Sequence, residues 1–284
     1  MISLSLKEKQ STIESIPRPS HTMNKLFLSL LFSFLSTLAG QAQEVGQWYP
    51  IFNGKNLDGW TIKICGYPLG ENDKDTFVAE NGMLRVKYDQ YDTFDQEYGH
   101  IYYNKKLSHY RLRLEYRFRG ERVSGSKDFT ELNSGVMFHS QSAESMGLHQ
   151  TFPVSVEAQF LACKDMATCD RTTMNIATPG TSIVTEDGTL RRQHMTWTQA
   201  KARHRDEWVK VEIEVRGNRS IEHKIDGKVV LRYTAPQIDD NFLLPKNYPL
   251  PTGTLLKDGY IALQGESHPV DFRNIELMLL SEEE

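Results

Sequence analysis

Apolar and polar residues alternate one by one along most of this chain, and convincing runs with the 3.6-residue period of a helix are few. Leu112-Arg-Leu-Glu-Tyr-Arg-Phe118 and Val209-Lys-Val-Glu-Ile-Glu-Val215 are clean examples. A period of two sends successive side chains to opposite faces of a sheet, so each run reads as a strand with one buried face. Ile221-Glu-His-Lys-Ile225 and Lys228-Val-Val-Leu-Arg-Tyr233 flank Asp226-Gly227, a pair suited to a type I′ turn, and predict a hairpin. Gly259-Tyr-Ile-Ala-Leu-Gln-Gly265 and Val270-Asp-Phe-Arg-Asn-Ile-Glu-Leu277 predict a closing hairpin around the turn Gly265-Glu-Ser-His-Pro269. Many short strands with Gly and Asp turns, and no strand–helix–strand rhythm, predict an all-β sandwich or jelly roll. Two stretches, about 177–207 and about 236–257, lack the alternation; the second holds Pro236, Pro245, Pro249 and Pro251. Long loops of this kind either form functional rims or merely wrap the sandwich edge.

The stretch Asn133-Ser-Gly-Val-Met-Phe-His139, followed by Ser155-Val-Glu-Ala-Gln159, carries the most chemistry. Val136 and Phe138 alternate with Met137 and His139, and Val154, Val156, Ala158 and Phe160 alternate with Ser155, Glu157 and Gln159. One face packs a core while the other presents His, Glu and Gln side by side, as solvated surface or as the floor of a cleft. Glu157 is the candidate base, and His139 the candidate acid, oxyanion donor or metal ligand. Arg111, Arg113, Glu115 and Arg117 share one face of another strand. Three guanidiniums around Glu115 lower its pKa, which suits an orienting group or an ion-pair network better than a base. Gln264 lies opposite Ile261 and Leu263 and, with Gln159, offers neutral contacts for hydroxyl groups. Glu266 and His268 sit in the turn closing the last hairpin, at the sheet rim. Tyr98, Tyr102 and Tyr103 flank His100 on a strand expected to enter the cleft, and Trp197 lies in a long loop. Such rings serve as stacking platforms or as packing.

The ends and the composition narrow this. Met23-Asn-Lys25 followed by the apolar Leu26–Leu35 and small residues reads as a signal peptide cleaved after Ala42, with residues 1–22 an upstream extension and Met23 the start. The expected mature chain, 43–284, is a single domain in the periplasm or outside the cell, with no membrane insertion after cleavage. It carries 29 basic and 35 acidic side chains, a mildly acidic balance that argues against nucleic acid or anionic membrane as partner. Cysteine is sparse: Cys163 and Cys169 either close a small loop disulfide or remain two thiols, and neither they nor Cys65 have zinc-ligand spacing. No cofactor is expected; a divalent metal held by His139 and Glu157, or by Glu266 and His268, has no motif behind it.

Phe52-Asn-Gly-Lys-Asn-Leu-Asp-Gly-Trp60 resembles the opening of the 3-keto-disaccharide hydrolase domain family. Asn133–His139 with Val156-Glu-Ala-Gln159, Trp208-Val-Lys-Val-Glu212, Gly259–Gln264 and Val270-Asp-Phe-Arg-Asn-Ile275 fit the same family in the same order. The resemblance spans roughly Trp48 to Leu280. It implies a concanavalin A-like jelly roll of two antiparallel sheets with long rim loops and a concave carbohydrate-holding face. It also implies an exported enzyme cleaving the glycosidic bond of 3-keto-glucosides or 3-keto-disaccharides, supplied by a sugar 3-oxidoreductase. Glu157, His139 and Glu115 are then the expected catalytic residues, with Gln159, Arg113, Gln264, Glu266 and His268 around the substrate. A non-catalytic carbohydrate-binding module of the same sandwich is the alternative, and an interaction domain a third.

Overall fold

A computed structural model describes residues 43–283; the expected leader lies outside the described residues. The strands, in chain order, are β1 (Trp48–Pro50), β2 (Trp60–Ile64), β3 (Phe77–Glu80), β4 (Met83–Val86), β5 (Gly99–Leu107) and β6 (His109–Phe118). Next come β7 (Asn133–Ser140), β8 (Val156–Cys163), β9 (Asn175–Ala177), β10 (Thr181–Thr185), β11 (Leu190–Arg191) and β12 (Met195–Thr196). The last six are β13 (Arg203–His204), β14 (Val209–Arg216), β15 (Ser220–Ile225), β16 (Lys228–Ile238), β17 (Gly259–Gly265) and β18 (Val270–Leu279). They form a ten-stranded sheet, ordered β11-β10-β16-β15-β14-β6-β18-β4-β3 with β1 on β18, and an eight-stranded sheet, ordered β12-β9-β8-β7-β17-β5-β2 with β13 on β8. Every ladder is antiparallel except the short β13–β8 pairing. The fold is the expected all-β jelly-roll sandwich.

The alternation explains the core. Leu112, Leu114, Tyr116 and Phe118 of β6 and Val209, Val211, Ile213 and Val215 of β14 meet Val136, Phe138, Val156, Ala158 and Phe160 from the other sheet in one buried cluster. Each fully buried chain of this size contributes roughly 1.5–3 kcal/mol. Tyr116 and Phe160 stack across the layers with ring centroids 4.2 Å apart. The Asp226-Gly227 hairpin forms between β15 and β16, and both residues have the positive φ, 48° and 79°, that a type I′ turn demands.

The closing hairpin does not form. β17 belongs to the eight-stranded sheet and β18 to the ten-stranded one, so Gly265–Pro269 crosses between layers. Alternation reports which residues face the core but not from which side, and the two strands satisfy it equally well in different sheets. The crossing buries Glu266, Ser267 and His268 where a surface turn was expected. The stretch 177–207 also holds short strands, β10 among them, paired to β16.

Candidate active site

Away from the core, the eight-stranded sheet presents its other face as a concave floor. Register aligns Lys63, His100 and Gln264 across β2, β5 and β17, and Gly135, Gln159 and Asn175 across β7, β8 and β9. A second row aligns Met137, Glu157 and Ala177. The 143–146 turn covers one end of this floor: Ala143 and Met146 pack on Tyr102, Met137 and Ala262, and Tyr102 Oη donates to Met146 Sδ at 2.8 Å. Phe152 packs edge-on against His100 at 6.2 Å. What stays open is a cleft of about 610 Å³ over Asn133, Glu157, Gln159, Gln264 and Glu266. Its walls come from the two stretches without alternation, through Ala177, Pro179, Met195 and Trp197 on one side and Phe242 and Leu243 on another.

Glu157 is placed by an absence. A Cβ on its diagonal cross-strand neighbour Gly135 would lie 2.2 Å from Glu157 Oε1 and 2.8 Å from its Cγ, so the carboxyl folds over the bare backbone of β7. Burial there raises its pKa to about 8, and no cation or hydrogen bond offsets the effect. Glu266, delivered by the crossing between sheets, is pushed well above the ordinary range, first by burial and then by the charge of Glu157. The two carboxyls line one cleft, and the charge of either makes ionisation of the other harder, so the pair favours carrying a proton.

Polar atoms without protein partners surround this pair. Gln264 Oε1 and Asn133 Oδ1 are buried and unpaired, while Asn133 Nδ2 donates to Phe129 O at 3.0 Å. Gln159 Oε1 accepts from Asn175 Nδ2 at 3.3 Å, which orients its amide. Arg171 lines the cleft with Nη1 donating to Glu131 O at 2.8 Å and Ala162 O at 2.9 Å. It follows the Cys163–Cys169 disulfide, whose Cα atoms are 5.8 Å apart. His194 lines the wall with Nδ1 unpaired, and burial lowers its pKa. Among the described residues no three His, Cys, Asp or Glu side chains gather as a metal-ligand group.

Of the residues singled out from the sequence, the cleft brings together Glu157, Gln159, Gln264 and Glu266 and leaves out four. His139 has a left-handed backbone, φ 46°, which breaks the alternation at the end of β7. Its ring is buried, Nε2 meets Gly217 O in the β14–β15 turn at 2.9 Å, and burial lowers its pKa to about 4. Glu115 and Arg113 stand on the outer face of the ten-stranded sheet, because their alternation points away from the core of the opposite layer. Burial alone would raise the Glu115 pKa, but hydrogen bonds from Arg273 and Asn274 and the Arg273 charge outweigh it and hold it low. Arg113 Nε donates to Glu276 at 2.7 Å, and its guanidinium lies 4.1 Å over Trp48. His268 is carried under the surface by the crossing; its Nδ1 accepts from the Leu132 N–H at 3.2 Å and its ring packs edge-on against Phe118. Tyr102 lies in the floor beneath the covering turn and His100 against Phe152, and neither lines the open cleft.

Sequence reasoning passed over Asn133 and Arg171. Asn133 was recoverable, since it shares the face of Gly135 and Met137 on one strand. Arg171 carries no local signal, because its place depends on a loop folding back over β8.

The sequence profile described as the 3-keto-alpha-glucoside-1,2-lyase-like domain matches residues 47–278. No curated protein matches the chain. Among solved structures, a provisionally assigned glycosyl hydrolase from Parabacteroides distasonis is similar at 20% identity, covering 83% of this chain and 100% of its own, with a TM-score of 0.49. A second such protein from the same organism is 16% identical over 82% of this chain and 94% of its own, with a TM-score of 0.49. A Bacillus licheniformis β-glucanase is 10% identical over 84% of this chain and 100% of its own, with a TM-score of 0.44.

Proposed function

The chain belongs to the family of 3-keto-alpha-glucoside-1,2-lyase-like domains, and on that premise we propose that it cleaves the glycosidic bond of a 3-keto-glucoside or 3-keto-disaccharide by 1,2-elimination. The observation that carries this reading is the buried pair Glu157 and Glu266 in one cleft, their pKa values raised with no cation beside them.

A ketone at C3 acidifies the C2 proton. Ionised Glu157 removes it, and the electron pair moves through C2–C3 to leave an enolate on the ketone oxygen. The enolate collapses, forming the C1–C2 double bond and breaking the C1–O bond, while protonated Glu266 gives its proton to the departing oxygen. The products are a 1,2-unsaturated 3-keto sugar and the free aglycone. The unpaired amide oxygens of Gln264 and Asn133 and the Gln159 amide suit the remaining sugar hydroxyls. Arg171 is the cation closest in role to an enolate stabiliser.

These steps use protein groups alone, so full activity after EDTA treatment is expected; loss restored by a divalent cation would replace Arg171 with a metal. The substrate must come from an enzyme that oxidises a sugar at C3. We assign residues 23–42 to export as a signal peptide, with 1–22 an upstream extension, and an exported product beginning at Gln43 by mass spectrometry is the expected result.

The direct test incubates purified protein with a 3-keto-α-glucoside in D₂O. Release of aglycone, an enone absorbance and deuterium at C2 of recovered material or hydrated product are expected from the wild type, with turnover lost in Glu157→Gln. Aglycone release without deuterium at C2 would favour direct hydrolysis. Sugar binding without any turnover would favour a carbohydrate-binding module.

A further inference from the structure

The two ends of the cleft differ in chemistry. Its floor is polar and buried, whereas its mouth is made of rings. Phe129, Trp197 and Phe242 are 52%, 58% and 81% exposed, and no other Phe, Trp or Tyr among the described residues is exposed to that degree. All three line this one cleft. They arrive from three separate segments: the β6–β7 connection, the stretch after β12 and the loop between β16 and β17. Leaving a large ring in water forgoes its burial, so a convergence of three such rings on a single opening marks a surface that a ligand covers.

Resting on the elimination reading, we infer that the cleft mouth is an aglycone subsite for a flat aromatic group, so that the substrates are 3-keto derivatives of aryl glucosides in preference to 3-keto-disaccharides. Leu161, Met195 and Leu243 lie in the same lining, and among these six side chains only the Trp197 indole N–H can bond a sugar hydroxyl, although Asp170, Arg171, Thr172 and His194 line the cleft as well. A second hexose would stack an apolar face on one ring but turn its edge hydroxyls toward the other two, which is unfavourable relative to water. An aryl group has no such groups to satisfy and gains offset or edge-to-face contacts with each ring. Phe242 is steadied for this role by His194, whose ring meets it edge-on at 5.8 Å. The aromatic leaving group also fits the chemistry, because a phenol oxygen departs more readily than a sugar alkoxide.

The test measures binding in Glu157→Gln, where no turnover intervenes, by fluorescence titration and calorimetry. The probes are phenyl and methyl 3-keto-α-glucoside, 3-keto-trehalose and the unoxidised phenyl and methyl α-glucosides. Phenyl is expected to bind at least tenfold more tightly than methyl within each pair, with 3-keto-trehalose no better than the methyl compound. Adding Trp197→Ala or Phe242→Ala is expected to remove most of the phenyl advantage while methyl binding changes less than twofold. Equal affinities for phenyl and methyl, a disaccharide that binds as tightly as the aryl compound, or no binding of either phenyl ligand would each overturn the subsite. If wild-type protein binds aryl glucosides selectively but cleaves none of their 3-keto forms, the elimination reading fails and the subsite stands. If it cleaves all of them without discrimination, the reverse holds.

Discussion

Two residues decide what the cleft floor can do, and each makes a separate prediction. Burial lifts the Glu157 pKa from 4.5 to about 8, so the folded state prefers its neutral form. A raised pKa contributes stability that is fully present below the unfolded value and is lost as pH rises through the folded one. Glu157→Gln, neutral throughout, should therefore gain stability relative to wild type as pH climbs from 5 to 9, by on the order of a few kcal/mol, and its Tm advantage should grow in step. Melting curves that run parallel across that range would show that Glu157 is not buried as described. Activity should move the other way, with kcat/KM rising toward pH 8 as Glu157 ionises and falling once Glu266 loses its proton. Gly135 is the second residue. A methyl group there meets Glu157 Oε1 at 2.2 Å, so Gly135→Ala should swing the carboxyl off the floor. About a 100-fold loss in kcat/KM is expected, that being typical of a misplacement near 1 Å, with only a small change in Tm. An unaltered rate would mean that the carboxyl's perch over β7 is irrelevant. Glu157, Gln159 and Gln264 were readable from alternation, which is a local property. His139 was not, because one left-handed residue reverses the face.

At the scale of elements, the outer face of β6 separates structure from chemistry. Glu115 bonds to Arg273 through two contacts, 2.7 and 2.8 Å, on the side of the ten-stranded sheet away from the cleft. Glu115→Gln should leave kcat/KM within twofold of wild type and cost no more than ~1 kcal/mol by denaturant titration, as exposed ion pairs do. A large loss of rate without loss of stability would return Glu115 to the catalytic set. The strands themselves were largely legible: β6, β14, β15 and β16 follow the alternating runs, and the Asp-Gly turn sits where its φ values require it. Partnership was less so. β17 and β18 read as a hairpin because only four residues join their runs, yet each buries its apolar face by lying in opposite layers. That crossing carries Glu266 into the cleft and His268 under the surface.

For the whole molecule, the cleft is an agreement between distant segments, and the disulfide tests how firmly one is held. Cys163–Cys169 closes a loop directly before Asp170 and Arg171, which line the wall. Replacing both cysteines by serine should lower stability by about 2 kcal/mol, the chain-entropy value for so short a loop, and raise KM through Arg171. The check is Tm and kinetics of both proteins with and without reductant; identical KM values would show that β8 alone positions Arg171. By itself, the sequence determined the all-β class, most strands, the faces they bury and the family, because these depend on neighbours a few residues away. Only the tertiary structure decided which polar face became a cleft. Glu157 and Arg113 obey the same alternation, and they differ because one sheet's outward face is roofed by loops from residues 129, 197 and 242 while the other's is open to water. That roof brings together residues more than a hundred positions apart, a distance over which no local pattern carries information.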